Sequence, residues 1–148
     1  MSLVHVSRPL AFPVEQVWEK LSDFGGIHRY SAGVQASPIN PGTPERGLGA
    51  ERNCQLYDGN HIQERVTEAV QNRSLALEVF DTSMPLKSAT ARFDLSPAGD
   101  GCVLEMTMEY QVKYGPVGWL MDAMMLNRAM TGSLSNLLAG LEAHLRTG

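Results

Sequence analysis

Residues 116–146 read PVGWLMDAMMLNRAMTGSLSNLLAGLEAHLR. Pro116 is suited to a first helical turn, where its missing N–H is no loss. Leu134, Leu137, Leu138, Leu141 and Leu145 recur at helical spacing and form one apolar stripe. Trp119, Leu120, Ala123 and Met130 carry the stripe backwards. At 1.5 Å per residue this helix would span roughly 45 Å, far beyond the usual helix of about 11–12 residues. Gly132 and Gly140 lie inside it, each costing roughly 1 kcal/mol relative to Ala. A bend near Gly132 would change which face points inward. So long an apolar face has to be covered, and only a sheet is large enough to cover it.

The chain from Val34 to Val112 supplies that sheet. Turn signals recur at Asn40-Pro41-Gly42, Gly47 and Gly49, Asp58-Gly59-Asn60, Gln71-Asn72-Arg73, Met84-Pro85 and Ala98-Gly99-Asp100-Gly101. Five to six strand-length runs lie between them. Asp58-Gly59 and Asp100-Gly101 signal tight hairpins, so the strands form an antiparallel meander. Residues 3–12 alternate and read as a first strand. Val14, Val17, Trp18 and Leu21 then mark a short amphipathic helix over 14–22. Asp23 is placed to cap a second short helix through Tyr30, which Gly25-Gly26 interrupts.

The order is strand, two short helices, six strands, long helix: an α+β domain over residues 1–148. At 148 residues the chain has the length of one domain and buries enough surface to need no metal or disulfide. The net charge of −4 comes without a basic run, which excludes nucleic acid as a partner. No stretch is apolar for long enough to span a membrane. The N-terminus lacks the pattern of a secretory signal, which places the protein in the cytoplasm. Cys54 and Cys102 sit in apolar or alternating stretches and read as reduced, buried thiols. The histidines His5, His28, His61 and His144 are scattered and make no metal site, and no motif implies a cofactor.

Local residues agree with this order. Pro13-x-x-x-Val17-Trp18-x-x-Leu21-x-Asp23-Phe24, Gly47-x-Gly49-Ala50-x-Arg52, Ile62-x-Glu64-Arg65-Val66-Thr67-Glu68, Met84-Pro85-Leu86 and Gly115-Pro116-Val117-Gly118-Trp119 stand at matching positions. Together they resemble the helix-grip superfamily of START lipid-transfer domains, birch-pollen-allergen-like proteins and polyketide cyclase/dehydrase proteins. The resemblance covers nearly the whole chain. It implies a curved antiparallel sheet of about seven strands wrapped around the long helix, with an apolar cavity between them. The fold hosts carriers, receptors and cyclases alike, so it does not assign one activity.

Alternation then selects the residues facing such a cavity. Ile62, Glu64, Val66, Glu68 and Val70 share one parity of the fourth strand, so Glu64 points inward with Ile62 and Val66. A carboxylate in a low-dielectric cavity has a raised pKa and suits acid–base chemistry. Leu56 and Cys54 bring Arg52 inward beside Glu64, as a buried pair that serves structure as readily as function. Tyr57 has the opposite parity. Phe93 stands on the sixth strand, and Leu104, Met106, Met108, Tyr110 and Val112 form the inward set of the last one. The Tyr110 phenol is placed either to orient a ligand or to serve the core. On the helix, Leu120, Met124, Met130 and Leu134 line the cavity. Asn127 falls about 20° from Leu134 on a 3.6-residue wheel, where its amide needs a partner: a ligand, a water or Glu64. Met121 and Met125 point away from the stripe and mark a pocket mouth, a dimer patch or a helix bend.

Three functions follow as expectations. The first is a noncatalytic carrier or sensor for a small hydrophobic molecule of lipid, isoprenoid or polyketide type. The second is a cyclase or dehydratase with Glu64 as acid or base and Arg52, Tyr110 or Asn127 polarising a carbonyl. The third is an interaction module, with the Met-rich helix docking a partner protein or a second copy as a homodimer.

Overall fold

A computed structural model describes residues 2–113 and 126–147 of the chain. The elements run β1 (Ser2–Leu10), α1 (Val14–Ser22), a 3-10 helix (Phe24–Arg29), β2 (Val34–Ala36), β3 (Glu51–Leu56), β4 (His61–Val70), β5 (Ser74–Thr82), β6 (Leu86–Ala98), β7 (Gly101–Val112) and α2 (Asn127–Thr147). The strands form one seven-stranded antiparallel sheet in the order β1-β7-β6-β5-β4-β3-β2. This is the helix-grip architecture: β2 to β7 meander in sequence, and the first strand closes onto the last.

The expected elements are present, with some local differences. The first strand stops at Leu10, and α1 opens where the Pro13 carbonyl accepts the Gln16 and Val17 amides. Val17 and Leu21 of α1 are buried. Asp23 does not cap the short helix. Its carboxylate instead accepts a hydrogen bond from Arg29 Nη1 at 2.9 Å, passing over Gly26. A Cβ at Gly26 would fall against that carboxylate, so the second glycine of the pair makes the arrangement possible. The long helix is described from Asn127, and its pattern continues unbroken through Gly132. Trp119, Leu120, Met121, Ala123, Met124 and Met125, expected on its first half, lie outside the described residues.

One sheet expectation is corrected. The parity of β4 does not hold along its length, because register shifts fall between Gln63 and Glu64 and between Val66 and Glu68. The first shift leaves the extra residue on β5, at Phe80; the second leaves it on β4, at Thr67, and beyond it the inward face of β4 changes parity. Ala69 packs against the core there, while Val70 is exposed and Glu68 pairs with Arg92 on the outer face. Glu64 lies before that second shift and keeps its inward aim.

Leu134, Leu138, Leu141 and Leu145 bury the inner face of α2 against Val4, Val6 and Leu10 of β1 and the β6–β7 core. Polar ties fix the register. Arg8 Nη2 donates to Glu142 Oε1 at 2.9 Å, and Asn127 Nδ2 donates to the Leu3 carbonyl at 3.4 Å. The helix therefore runs along β1 in the same sense. Gly140 seats its backbone directly on the Tyr30 carbonyl, where an added Cβ would collide. Cys54 on β3 and Cys102 on β7 are separated by three strands, and both are free and buried. Among the described residues no helix is long and apolar enough to cross a membrane.

The two helical glycines should respond oppositely to the same substitution. Gly132→Ala meets open space and should stabilise the protein by up to about 1 kcal/mol through helix propensity. Gly140→Ala should destabilise it by about 1–3 kcal/mol despite the same propensity gain, because overpacking against backbone cannot relax. Urea unfolding of the two variants measures both, and equal stabilisation would refute the Gly140 seat.

Candidate functional site

The polar centre of the inner face is built by two neighbouring strands. The β3–β4 register sets Arg52 opposite Glu64 and Cys54 opposite Ile62. Arg52 Nε donates to Glu64 Oε1 at 2.8 Å, and Nη1 donates to the Phe24 carbonyl at 3.1 Å. The guanidinium carbon lies 3.9 Å from the centroid of the Phe24 ring. The Arg52 side chain is 4% exposed and that of Glu64 is 15% exposed. Burial works against the Arg52 charge, but its neighbours, Glu64 foremost, together outweigh it, and the guanidinium is held above its ordinary pKa. A buried charge pair of this kind persists because the partners satisfy each other.

Two neutral groups complete the centre. Cys54 Sγ lies 3.5 Å from Glu64 Oε1, and burial, reinforced by the Glu64 charge, pushes its thiol up to about 12. Burial also pushes the Tyr30 phenol up to about 12, with Arg52 pulling the other way. The Tyr30 ring stacks on His144 of α2, centroids 5.8 Å apart. Sequence reading gave Cys54 and Tyr30 no part in the site. The parity shared by Cys54 with Arg52 was a usable signal; nothing local placed Tyr30.

Other apolar side chains pack against the core without being fully covered. Ile62, Val79, Leu86, Met108 and Val112 from the sheet, with Leu126 and Met130 from the helix side, are only half-buried while packing against the core. Leu56 belongs to the same half-buried set. Phe93, Met106, Tyr110 and Leu134 lie deeper, in the fully packed core, and Tyr110 is 0% exposed. Leu120 and Met124 fall outside the described residues. Asn127 is half-buried, and its amide turns to the edge strand at Leu3. Tyr57 stands beyond the end of β3 and is exposed. His28 is exposed too, with Nδ1 2.9 Å from Ser37 Oγ.

An open groove of about 430 Å³ adjoins this centre at Tyr30, between the segment His28–Val34, Tyr57 and the Gly140–Thr147 end of α2. Among the described residues no group of His, Cys, Asp and Glu is placed to hold a metal ion.

The comparisons with known proteins agree with this geometry. The sequence pattern of the polyketide cyclase / dehydrase and lipid transport family matches residues 1–146, and the chain belongs to that family. Among solved structures, a START superfamily protein from Mycobacterium smegmatis superimposes with a TM-score of 0.80 at 16% identity, over 98% of this chain and 97% of its own. The protein XoxI from Bacillus cereus gives a TM-score of 0.78 at 16% identity, over 98% and 96%. Ara h 8.0201 gives 0.77 at 10% identity, over 99% of both chains. At these identities the likeness bears on the fold alone. No curated protein matches the chain significantly.

Two outcomes test the site. Arg52→Met should cost about 3 kcal/mol in urea unfolding, because it leaves Glu64 inside without its partner; Arg52→Met combined with Glu64→Leu should recover most of the loss. Equal loss in the single and double variants would refute the pairing. The thiols supply the second outcome. With Cys54 pushed up to about 12 and buried, and Cys102 raised by burial, neither should react with iodoacetamide at pH 8 in the folded protein. Both should react in urea, as read by mass spectrometry.

Proposed function

We propose that the protein is a noncatalytic carrier or sensor of a small hydrophobic molecule, of lipid, isoprenoid or polyketide type, held between the inner face of the sheet and α2. One observation carries this reading: apolar side chains, among them Ile62, Val79, Leu86, Met108, Val112, Leu126 and Met130, pack on the core yet stay partly uncovered. Apolar surface left wet costs roughly 25 cal/mol per Å², and an apolar ligand recovers that cost. The lipid transport arm of the family supports the same reading.

The state of Glu64 weighs against the cyclase or dehydratase alternative. A general base needs a carboxylate positioned to take a substrate proton. Oxygen Oε1 of Glu64 is already engaged by the Arg52 guanidinium at 2.8 Å. The interaction-module alternative rests on Met121 and Met125, which lie outside the described residues.

Native mass spectrometry of the purified protein, followed by organic extraction, should release a copurifying apolar molecule. In parallel, Nile red should bind with enhanced fluorescence. Met130→Ala should weaken that binding several-fold, while Glu64→Gln should change it less than about twofold, since the dye offers no donor to the carboxylate. A clean protein mass together with no Nile red binding would overturn the carrier reading.

A further inference from the structure

We infer that the open groove between residues 28–34, Tyr57 and the end of α2 is a second binding site, fitted to a small aromatic anion. None of its lining residues belongs to the partly covered apolar set that carries the carrier reading, so the two sites stand or fall separately.

The groove holds about 430 Å³, the size of a small-molecule site. Three distant parts of the chain build it, and backbone contacts hold them together. The Ile27 carbonyl accepts the Tyr30 and Ser31 amides, which shapes the turn after the 3-10 helix. The Tyr57 amide donates to the Gly33 carbonyl at 3.3 Å. Gly140 rests on the Tyr30 carbonyl and brings α2 against the same turn. Walls fixed by main-chain contacts need little ordering when a ligand enters.

Charge selects an anion. The basic side chains of the groove are His28, Arg29 and His144, and no carboxylate is among its described lining residues, in a chain whose net charge is −4. The carboxylates next in sequence are engaged: Asp23 accepts from Arg29 Nη1 at 2.9 Å, and Asp58 accepts the Asn60 amide at 2.9 Å. The Arg29 side chain is still 55% exposed, so its guanidinium keeps donors for a ligand. His144 senses the same field. Burial, then the positive charges of Lys20 on α1 and of Arg29, hold its imidazole below the ordinary pKa, against a weaker opposite pull from Asp23.

Aromatic surface stands beside that charge. Tyr57 is 69% exposed, and the rings of Tyr30 and His144 stack with centroids 5.8 Å apart. A bare inorganic anion would leave the Tyr57 ring in water. A neutral aromatic would leave the guanidinium without a counter-charge. A ring bearing a carboxylate, sulfonate or phosphate answers both, through stacking and charge-assisted hydrogen bonds.

Two probes of one ring system test this, naphthalene-2-sulfonate and neutral 2-naphthol, each titrated into isotope-labelled protein and followed by NMR. At pH 5.5 the sulfonate should bind about tenfold more tightly than the naphthol, and at pH 7.5 about threefold or more weakly than at pH 5.5, as the imidazoles lose their protons. It should shift the amides of residues 28–34, 57 and 140–147. It should also raise the midpoint of the His144 ring titration, the reciprocal of the pH effect on binding. Tyr57→Ser, at an exposed position, should weaken the sulfonate several-fold, and His28→Gln with His144→Gln should flatten the pH dependence. Equal binding of the two probes, shifts confined to Ile62, Met108 and Met130, or an unchanged affinity in Tyr57→Ser overturns the inference. So does absence of sulfonate binding, while Nile red binding decides the carrier reading independently. Should the double histidine variant not fold, the wild-type probes and Tyr57→Ser decide.

Discussion

Four leucines on one face of α2 have to leave water, and much of the architecture answers that demand. Leu134, Leu138, Leu141 and Leu145 are all buried, and each contributes on the order of 2 kcal/mol through burial. A single helix cannot cover its own apolar stripe. The sheet does so with the inner residues of β1, β6 and β7, and the chain order follows: a first strand that must return beside the last, and a meander long enough to curve. The edge strand carries the polar ties, Arg8 to Glu142 and the Leu3 carbonyl to Asn127, so hydrophobic burial sets the packing and hydrogen bonds set the register.

Away from that leucine seam the inner face is less completely closed. At β3 and β4 a guanidinium and a carboxylate sit where a core would ordinarily place apolar groups. They are tolerated because each satisfies the other and because the Phe24 carbonyl and ring take the rest of the guanidinium.

Much of this was legible in the residues. The leucine spacing gave the helix and the need for a covering sheet. Turn signals divided the strands correctly, and alternation put Arg52, Glu64, Cys54 and Leu56 on one face. What failed did so for identifiable reasons. A period of two assumes an unbroken register, and the shift at Val66/Glu68 has no local sequence mark, so the parity that Val70 shares with Ile62 and Val66 does not bring it inward. Asp23 has the chemistry of a helix cap, yet a nearby Arg29 and the space above Gly26 draw its carboxylate elsewhere. The wheel sets Asn127 close to Leu134 and leaves its amide to a ligand, a water or Glu64, but a helix wheel does not contain the edge strand whose Leu3 carbonyl takes the amide. Tyr30 joins the site only through long-range packing beside Arg52 and under His144.

The seat of Gly140 on the Tyr30 carbonyl has a consequence for the way α2 holds its place. Near Gly140 the helix is fixed by direct backbone approach, by three of the buried leucines and by the Arg8–Glu142 ion pair. At Asn127 its polar tie is one 3.4 Å hydrogen bond at a half-exposed position. Of the described helix, the C-terminal half is therefore the part most firmly seated, and it should be among the last segments of the fold to exchange its amide protons.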